Sequence, residues 1–330
     1  MKYSIIIPVY NRPEEIDELL ESLTNQTFMN FEVLIVEDGS QIKCESIIVK
    51  YKSKVDIKYY YKDNSGPGLS RNYGSNYANG EYLIFLDSDC ILHENYLQEV
   101  ENGLKNNYSD AFGGPDKAHP SFTNLQKAIN YSMTSFFTTG GIRGGKKQLD
   151  KFYPRSFNMG YSKKVYETTK GFSSIRFGED IDMSLRILKN GFTTMLIEKA
   201  YVYHKRRTDF RKFFKQVFNS GIARINLYKR HPQSLKIVHL LPSIFTIGFF
   251  CCLIFSILLN KWFITPVLFF ILIISLDSFF KNKSISVGLL SVPASFIQLT
   301  GYGCGFIYSF WKRIILKRDE FASFVNNFYK

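Results

Sequence analysis

The stretch Gly80-Glu81-Tyr82-Leu83-Ile84-Phe85-Leu86-Asp87-Ser88-Asp89 decides how this chain is read. Its apolar centre has the length and composition of a strand buried on both faces, and two carboxylates close it. Similar runs come before it. Residues 4–9, 32–36 and 57–61 predict three more strands, and helical patterns at about 13–26, 44–51, 69–78 and 94–106 alternate with them. The first helix opens on Asn11-Arg12-Pro13-Glu14-Glu15, with a capping candidate, a proline in the first turn and acids at the positive end of the dipole. This order predicts an α/β domain whose mainly parallel sheet is flanked by helices.

The chain has 330 residues and a formal net charge of +13. The excess is local: from Lys205 to Lys236 ten Lys and Arg face a single acid, Asp209. A basic stretch just before apolar segments is expected on the cytoplasmic side of a membrane, against anionic headgroups. Nucleic acid is disfavoured as a partner because no recognition motif accompanies the charge. Five cysteines without metal-ligand spacing argue against a disulfide framework and fit a reducing compartment. Met1-Lys2-Tyr3-Ser4 runs straight into a strand with no secretory pattern, so the expected location is the inner (cytoplasmic) membrane with the catalytic part in the cytoplasm.

Three segments are expected: an α/β domain over 1–205, a basic amphipathic interfacial segment over 206–236, and membrane helices with a basic tail over 237–330. Residues 240–259 are long enough to span a bilayer, and so are 262–280, which carry Asp277. Residues 285–310 contain Pro293 and several glycines and read as a tilted span or a re-entrant hairpin. Three full spans would put Lys312, Arg313, Lys317 and Arg318 outside, so two spans plus a re-entrant segment is the favoured reading. Residues 210–230 have an amphipathic pattern that suits either a membrane surface or packing against the catalytic domain.

Ligands of doubly wound sheets bind at the carboxyl ends of the strands. The first glycine is Gly39, so no glycine-rich loop cradles a diphosphate after the first strand. A cation is the simplest substitute. Asp87 and Asp89 can share Mg2+ or Mn2+ and leave positions open for phosphate oxygens, or they can simply cap a turn. Asp38 can accept the imide N–H of a uracil ring, or serve as an ordinary turn residue. The basic-flanked Gly140-Gly141-Ile142-Arg143-Gly144-Gly145-Lys146-Lys147 reads as a loop that closes over a ligand.

Ile5-Ile6-Ile7-Pro8-Val9-Tyr10-Asn11-Arg12, Val36-Glu37-Asp38-Gly39-Ser40, Gly68-Leu69-Ser70-Arg71-Asn72-Tyr73-Gly74 and the opening stretch stand in register over ninety residues. Together they resemble the donor-binding half of a family 2 glycosyltransferase with the GT-A fold. The resemblance continues through Phe157-Asn158-Met159-Gly160, Gly171-Phe172 and Gly178-Glu179-Asp180-Ile181-Asp182, and the apolar tail resembles that of membrane-bound bacterial members. It implies an inverting hexosyltransferase using a nucleotide-diphosphate sugar, UDP-linked by preference, in cell-surface polysaccharide synthesis. Asp38 would hold the base, and Pro8, Tyr10 and Arg12 would line the nucleoside pocket. Arg71 would lie against the nucleoside and diphosphate, Asp87 would meet the ribose or the metal's water shell, and Asp89 would ligate the metal. Glu37 departs from the family's usual first Asp.

Glu179 and Asn158 would lie on the acceptor side, with Asp180 as general base; the alternative for Asp180 is a helix cap. His204 falls where some members place a metal-proximal histidine, although a lone His beside a basic run is often interfacial. The Gln-x-x-Arg-Trp of processive members is absent, which disfavours long-polymer synthesis. The expected acceptor is a hydroxyl of a lipid-linked glycan, and membrane lipids are expected partners. The competing readings are a polyprenyl-phosphate sugar synthase and a non-catalytic sugar-nucleotide-binding membrane scaffold.

Overall fold

The computed structural model describes residues 2–139 and 152–320; the glycine-rich loop at 140–147 lies outside them. The chain divides into two compact units, one of residues 2–119 and 152–205, the other of 120–139 and 206–320.

The first unit is built on a seven-stranded sheet. Its strands are β1 (Tyr3–Val9), β2 (Phe31–Asp38), β3 (Ile57–Lys62), β4 (Tyr82–Leu86), β6 (Ala111–Gly113), β8 (Asn158–Ser162) and β9 (Thr194–Leu196), in the spatial order β3-β2-β1-β4-β8-β6-β9. Strands β1 to β4 pair in parallel, while β8 runs antiparallel to both β4 and β6. Every residue of β1, β2 and β4 is buried. Such strands need apolar residues at successive positions, which is why they read as continuous runs. A second sheet joins β5 (Cys90–Leu92), β10 (Val202–His204) and β7 (Asp116–Lys117) in the order β5-β10-β7.

The helices of this unit are α1 (Pro13–Thr24), α2 (Glu45–Ile48), α3 (Pro67–Asn76), α4 (Tyr96–Asn106), α7 (Lys163–Thr169) and α8 (Glu179–Lys189). In α1, Ile16, Leu19, Leu20 and Leu23 are buried at helical spacing, and each contributes about 1.5–3 kcal/mol by leaving water. They belong to a core on one face of the large sheet with Ile5, Ile7, Val33 and Ile35, while Ile6, Leu34, Leu83 and Phe85 build a second core. Two-sided coverage leaves the strand ends as the place for chemistry.

The second unit contains α5 (Asn124–Thr134), α6 (Phe136–Thr139), α9 (Phe210–Arg230), α10 (Leu241–Leu258), α11 (Thr265–Asn282) and α12 (Ile285–Phe310). Three of its helical stretches, 237–258, 261–282 and 285–315, are long and apolar enough to cross a membrane. The hairpin reading of 285–310 is corrected: α12 is continuous through Pro293. Proline removes one helical hydrogen bond, and packing on α12 from α5, α10 and α11 outweighs that loss. The amphipathic segment also finds a partner the sequence did not suggest. Helix α9 packs along α12, where Gly221, Gly301 and Gly305 allow backbone contact; a Cβ on Gly305 would lie 2.0 Å from the Phe218 carbonyl oxygen. Helix α9 carries Arg211, Lys212, Lys215, Arg224, Lys229 and Arg230, and each would cost roughly 2.5–3.5 kcal/mol at a bilayer centre.

Candidate functional site

The site assembles where β4 ends. The turn after Leu86 is closed by the Cys90 N–H donating to the Asp87 carbonyl, and it sends the two aspartates to different partners. Asp87 accepts from Arg71 Nη2 at 2.6 Å. Asp89 Oδ2 accepts from Arg12 Nη1 at 2.5 Å, and Asp89 Oδ1 lies 3.1 Å from His204 Nε2. The distant histidine arrives because β10 pairs antiparallel with β5 in a register that sets His204 opposite Cys90. The Lys205 N–H donates to the Asp89 carbonyl, and the His204 ring stacks on Phe157 at 5.0 Å.

Asp89, Cys90 and His204 bring their ligand atoms within 4.8 Å of one another. The donor chemistry divides them. The carboxylate oxygen suits Mn2+ or Mg2+, which leave positions for phosphate, and the imidazole nitrogen lies beside it. Cys90 is engaged elsewhere: it is fully buried, burial with the Asp89 and Asp87 charges raises its thiol pKa, and it donates to the Phe157 carbonyl at 3.5 Å. Asp87 falls outside this group because Arg71 holds it. Of the three residues expected around a metal, Asp89 and His204 come together, while Asp87 pairs with Arg71.

Arg71 is fully buried on α3 and bridges Asp87 to Glu179 Oε1, 3.3 Å away. Burial alone would lower its pKa, but the Asp87 and Glu179 charges outweigh it and raise it. Glu179 and Asp180 open α8, where Gly178 adopts φ +85° ahead of them. The two acids are pushed apart. Burial first and the Asp180 charge second move Glu179 up to about 7. Asp180 is equally enclosed, yet the Arg155 charge and hydrogen bond, Nε to Oδ2 at 2.6 Å, lower it. Its Oδ1 accepts the Ile181 N–H at 2.8 Å. Nothing in the sequence marks Arg155; tertiary folding alone brings it to Asp180.

The nucleoside-side expectations divide as well. Pro8 is buried inside β1 opposite Val36, and Tyr10 and Arg12 are half-buried just beyond it. Asn11, at φ +51°, accepts the Gln41 and Ile42 N–H groups on its side-chain oxygen and so shapes the loop after β2. Asn tolerates that backbone region. Asp38, expected at the base, is engaged within the fold. It is fully buried and accepts from Lys62 Nζ, Ser65 N–H and Gly66 N–H at 2.7–2.9 Å, which ties down the turn between β3 and α3. Asn158, expected on the acceptor side, is buried; its amide donates to the Ala200 carbonyl and accepts from Tyr96 Oη.

Comparison with known proteins fits this geometry. The family model described as "Glycosyl transferase family 2" matches residues 4–169. The poly(ribitol-phosphate) beta-N-acetylglucosaminyltransferase TarP of Staphylococcus aureus (strain N315) is 34% identical over 255 residues, covering 71% of this chain and 77% of that protein. The minor teichoic acid biosynthesis protein GgaB of Bacillus subtilis (strain 168) is 26% identical over 250 residues, covering 71% of this chain. The chain spans only 27% of the length of GgaB, and between 14% and 31% of the length of the first five curated relatives. Among solved structures, S. aureus TarS 1-349 superposes with a TM-score of 0.50 at 25% identity over 68% of this chain and 66% of TarS; it has also been solved with UDP and with UDP-GlcNAc. The mannosyltransferase PcManGT of Pyrobaculum calidifontis, solved with GDP-Man and Mn2+, shares the fold with a TM-score of 0.60 at 12% identity, over 94% of this chain and 88% of PcManGT.

Proposed function

From the premise that the chain belongs to glycosyl transferase family 2, we propose that it is an inverting, metal-dependent transferase that moves one sugar from a nucleotide-diphosphate sugar to a hydroxyl of a membrane-held glycan acceptor. The observation that carries this is the convergence of Asp89 Oδ1 and His204 Nε2, 3.1 Å apart at the tip of β4, beside the Arg71–Asp87 pair. A bound Mn2+ or Mg2+ would supply positive charge against the departing diphosphate. The chain's own residues do the rest. Arg12 and Arg71 add positive charge around the donor, Tyr10 and Pro8 wall the nucleoside, and Asp38 keeps the adjoining turn in place. UDP is the favoured nucleotide, supported by the TarS complexes.

Asp180 receives the acceptor's hydroxyl proton as the new C–O bond forms at the anomeric carbon. The bond to the diphosphate oxygen breaks on the opposite side, and its electron pair leaves with the diphosphate. Arg155 keeps Asp180 ionised and therefore able to take that proton. The kinship with teichoic acid enzymes supports a cell-surface polymer, carried on lipid, as the acceptor. The three apolar helices support action at the inner membrane, with residues 2–205 on the cytoplasmic side.

The test is sugar transfer, or donor hydrolysis, from UDP-sugars in the presence of Mn2+. Asp89→Asn and His204→Ala are each expected to lose activity by about 10²-fold or more, the range seen when charge stabilisation at a leaving group is removed, and a chelator should abolish it in the wild type. Full turnover in excess chelator, or in Asp89→Asn, would refute the assignment.

A further inference from the structure

Helix α12 is flanked along its length by two unlike sets of neighbours. On one side lie α5 and α9. Asn124 on α5 bonds Ser286, Ile129 and Met133 share a core with Ala294, and α9 continues the cover in step, Val217 on Gly301, Phe218 on Gly305, Ile222 on Ser309 and Asn226 on Arg313. On another side lie the two apolar helices. Phe279 meets Gly288, Ser278 bonds Ser291, the Phe249 ring lies tilted and the Phe270 ring edge-on against Phe296, and Thr246 reaches the Leu299 carbonyl and Gly303.

A helix that crosses a bilayer has its middle in hydrocarbon. The middle and far half of α12 lie instead against α9, whose six cations exclude it from hydrocarbon. The near end has the same character: Tyr131 on α5 donates to Asp277 at 2.5 Å, and Asp277 pairs with Lys281 at the foot of α11. We propose that α12 lies along the membrane interface as a strap, with both ends on the side that carries residues 2–205, and that only the α10–α11 hairpin enters the bilayer. This stands apart from the transferase assignment.

The charge pattern agrees. A strap leaves Lys281, Lys283, Lys312, Arg313, Lys317 and Arg318 on the side of α9 and puts only Lys261, in the α10–α11 turn, at the far tip. A third span would carry the last four of these across the bilayer, yet the far end of α12 is bonded to the end of α9: Arg313 to Asn226, and the Arg313 carbonyl to Lys229. The positive-inside bias favours the strap. Buried serines along α12, Ser291, Ser295 and Ser309, suit a helix that packs against both polar-faced and apolar partners.

The position of the two ends decides the matter. In full-length protein with Cys251, Cys252 and Cys304 replaced by serine (Cys44 and Cys90 are buried), single cysteines are introduced as Ile285→Cys, Leu316→Cys and, in the first unit, Lys52→Cys. A membrane-impermeant maleimide is then applied to sealed right-side-out and inside-out vesicles. All three positions are expected to label from one face, and labelling at all three to be lost when the reagent is confined to the other. Labelling of 285 and 316 from opposite faces would overturn the proposal, as would both labelling from the face opposite 52. Lys317→Cys repeats the reading if Leu316→Cys fails to insert.

Discussion

Two acids separated by a single residue at the mouth of β4, and two more side by side at the start of α8, have been given four different jobs by the cations that reach them. Glu179 offers the clearest readout. Burial, reinforced by the Asp180 charge, raises its carboxyl from 4.5 to about 7. A carboxyl raised in the folded state binds its proton more tightly there, so its stability contribution is complete below about pH 4.5 and lost as pH climbs through about 7. Glu179→Gln cannot ionise and escapes that loss. Relative to wild type it should gain roughly 2 kcal/mol between about pH 5 and pH 8, read as a melting-temperature gap that widens with pH; a constant gap would refute the shift. Asp180 moves the other way because Arg155 holds it ionised. Arg155→Gln should move the acid limb of the pH–rate profile to higher pH, with the donor's KM unchanged. Asn158, buried in the core, is tested by stability: Asn158→Leu strands the Tyr96 hydroxyl and the Ala200 carbonyl, costing about 2–4 kcal/mol with no change in acceptor KM. The positions of Asp87, Asp89, Glu179 and Asp180 were legible because each sits at the end of a continuous apolar run or opens a periodic one. One of their partners was not: Arg155 reaches Asp180 through tertiary pairing across 25 positions, and no local pattern encodes that.

Elements were legible in proportion to their length and burial. The parallel strands β1 to β4 announce themselves because helices on both faces demand apolar side chains at every position. Strands β5, β6, β9 and β10 have three residues each and owe their existence to neighbours distant in sequence. Without the β5–β10 pair, His204 would have no route to Asp89. Pro293 misled for a related reason: its local preference is to break a helix, and packing on three sides outweighs it. The contact of α9 with α12 rests on glycine. Gly305→Leu would drive a side chain into the Phe218 carbonyl, and overpacking of this kind costs about 1–3 kcal/mol. Solubilised Gly305→Leu should therefore melt lower than wild type and be cleaved faster by protease within residues 206–236. An equally bulky change at Gly248, where nothing lies within 4 Å, should do neither.

At the scale of the whole molecule, the boundary that hydropathy suggests is not where the packing divides. Composition changes near residue 236, and a chain ending at Lys236 would look, by its sequence, like a soluble enzyme freed from its anchor. The packing argues otherwise. Residues 120–139 leave the first unit and return to it, and in between α5 packs with α9 and α12. Ile129, Met133, Phe213 and Val217 form one small core with Ala294 of α12. Ending the chain at Lys236 removes Ala294 together with Gly301 and Gly305, and it strips the cover from α5 and α9 at once. Those four side chains each gain about 1.5–3 kcal/mol from burial, enough in sum to rival the net stability of a domain, so their exposure is answered by self-association. Expressed without detergent, the 1–236 chain should elute as a large aggregate, and light scattering should show it growing with concentration. Replacing Ile129, Met133, Phe213 and Val217 by polar residues should restore a monomer, because the described core residues on the two faces of the seven-stranded sheet all belong to the first unit. A monodisperse, unmodified 1–236 chain would show that α5 and α9 find their cover elsewhere.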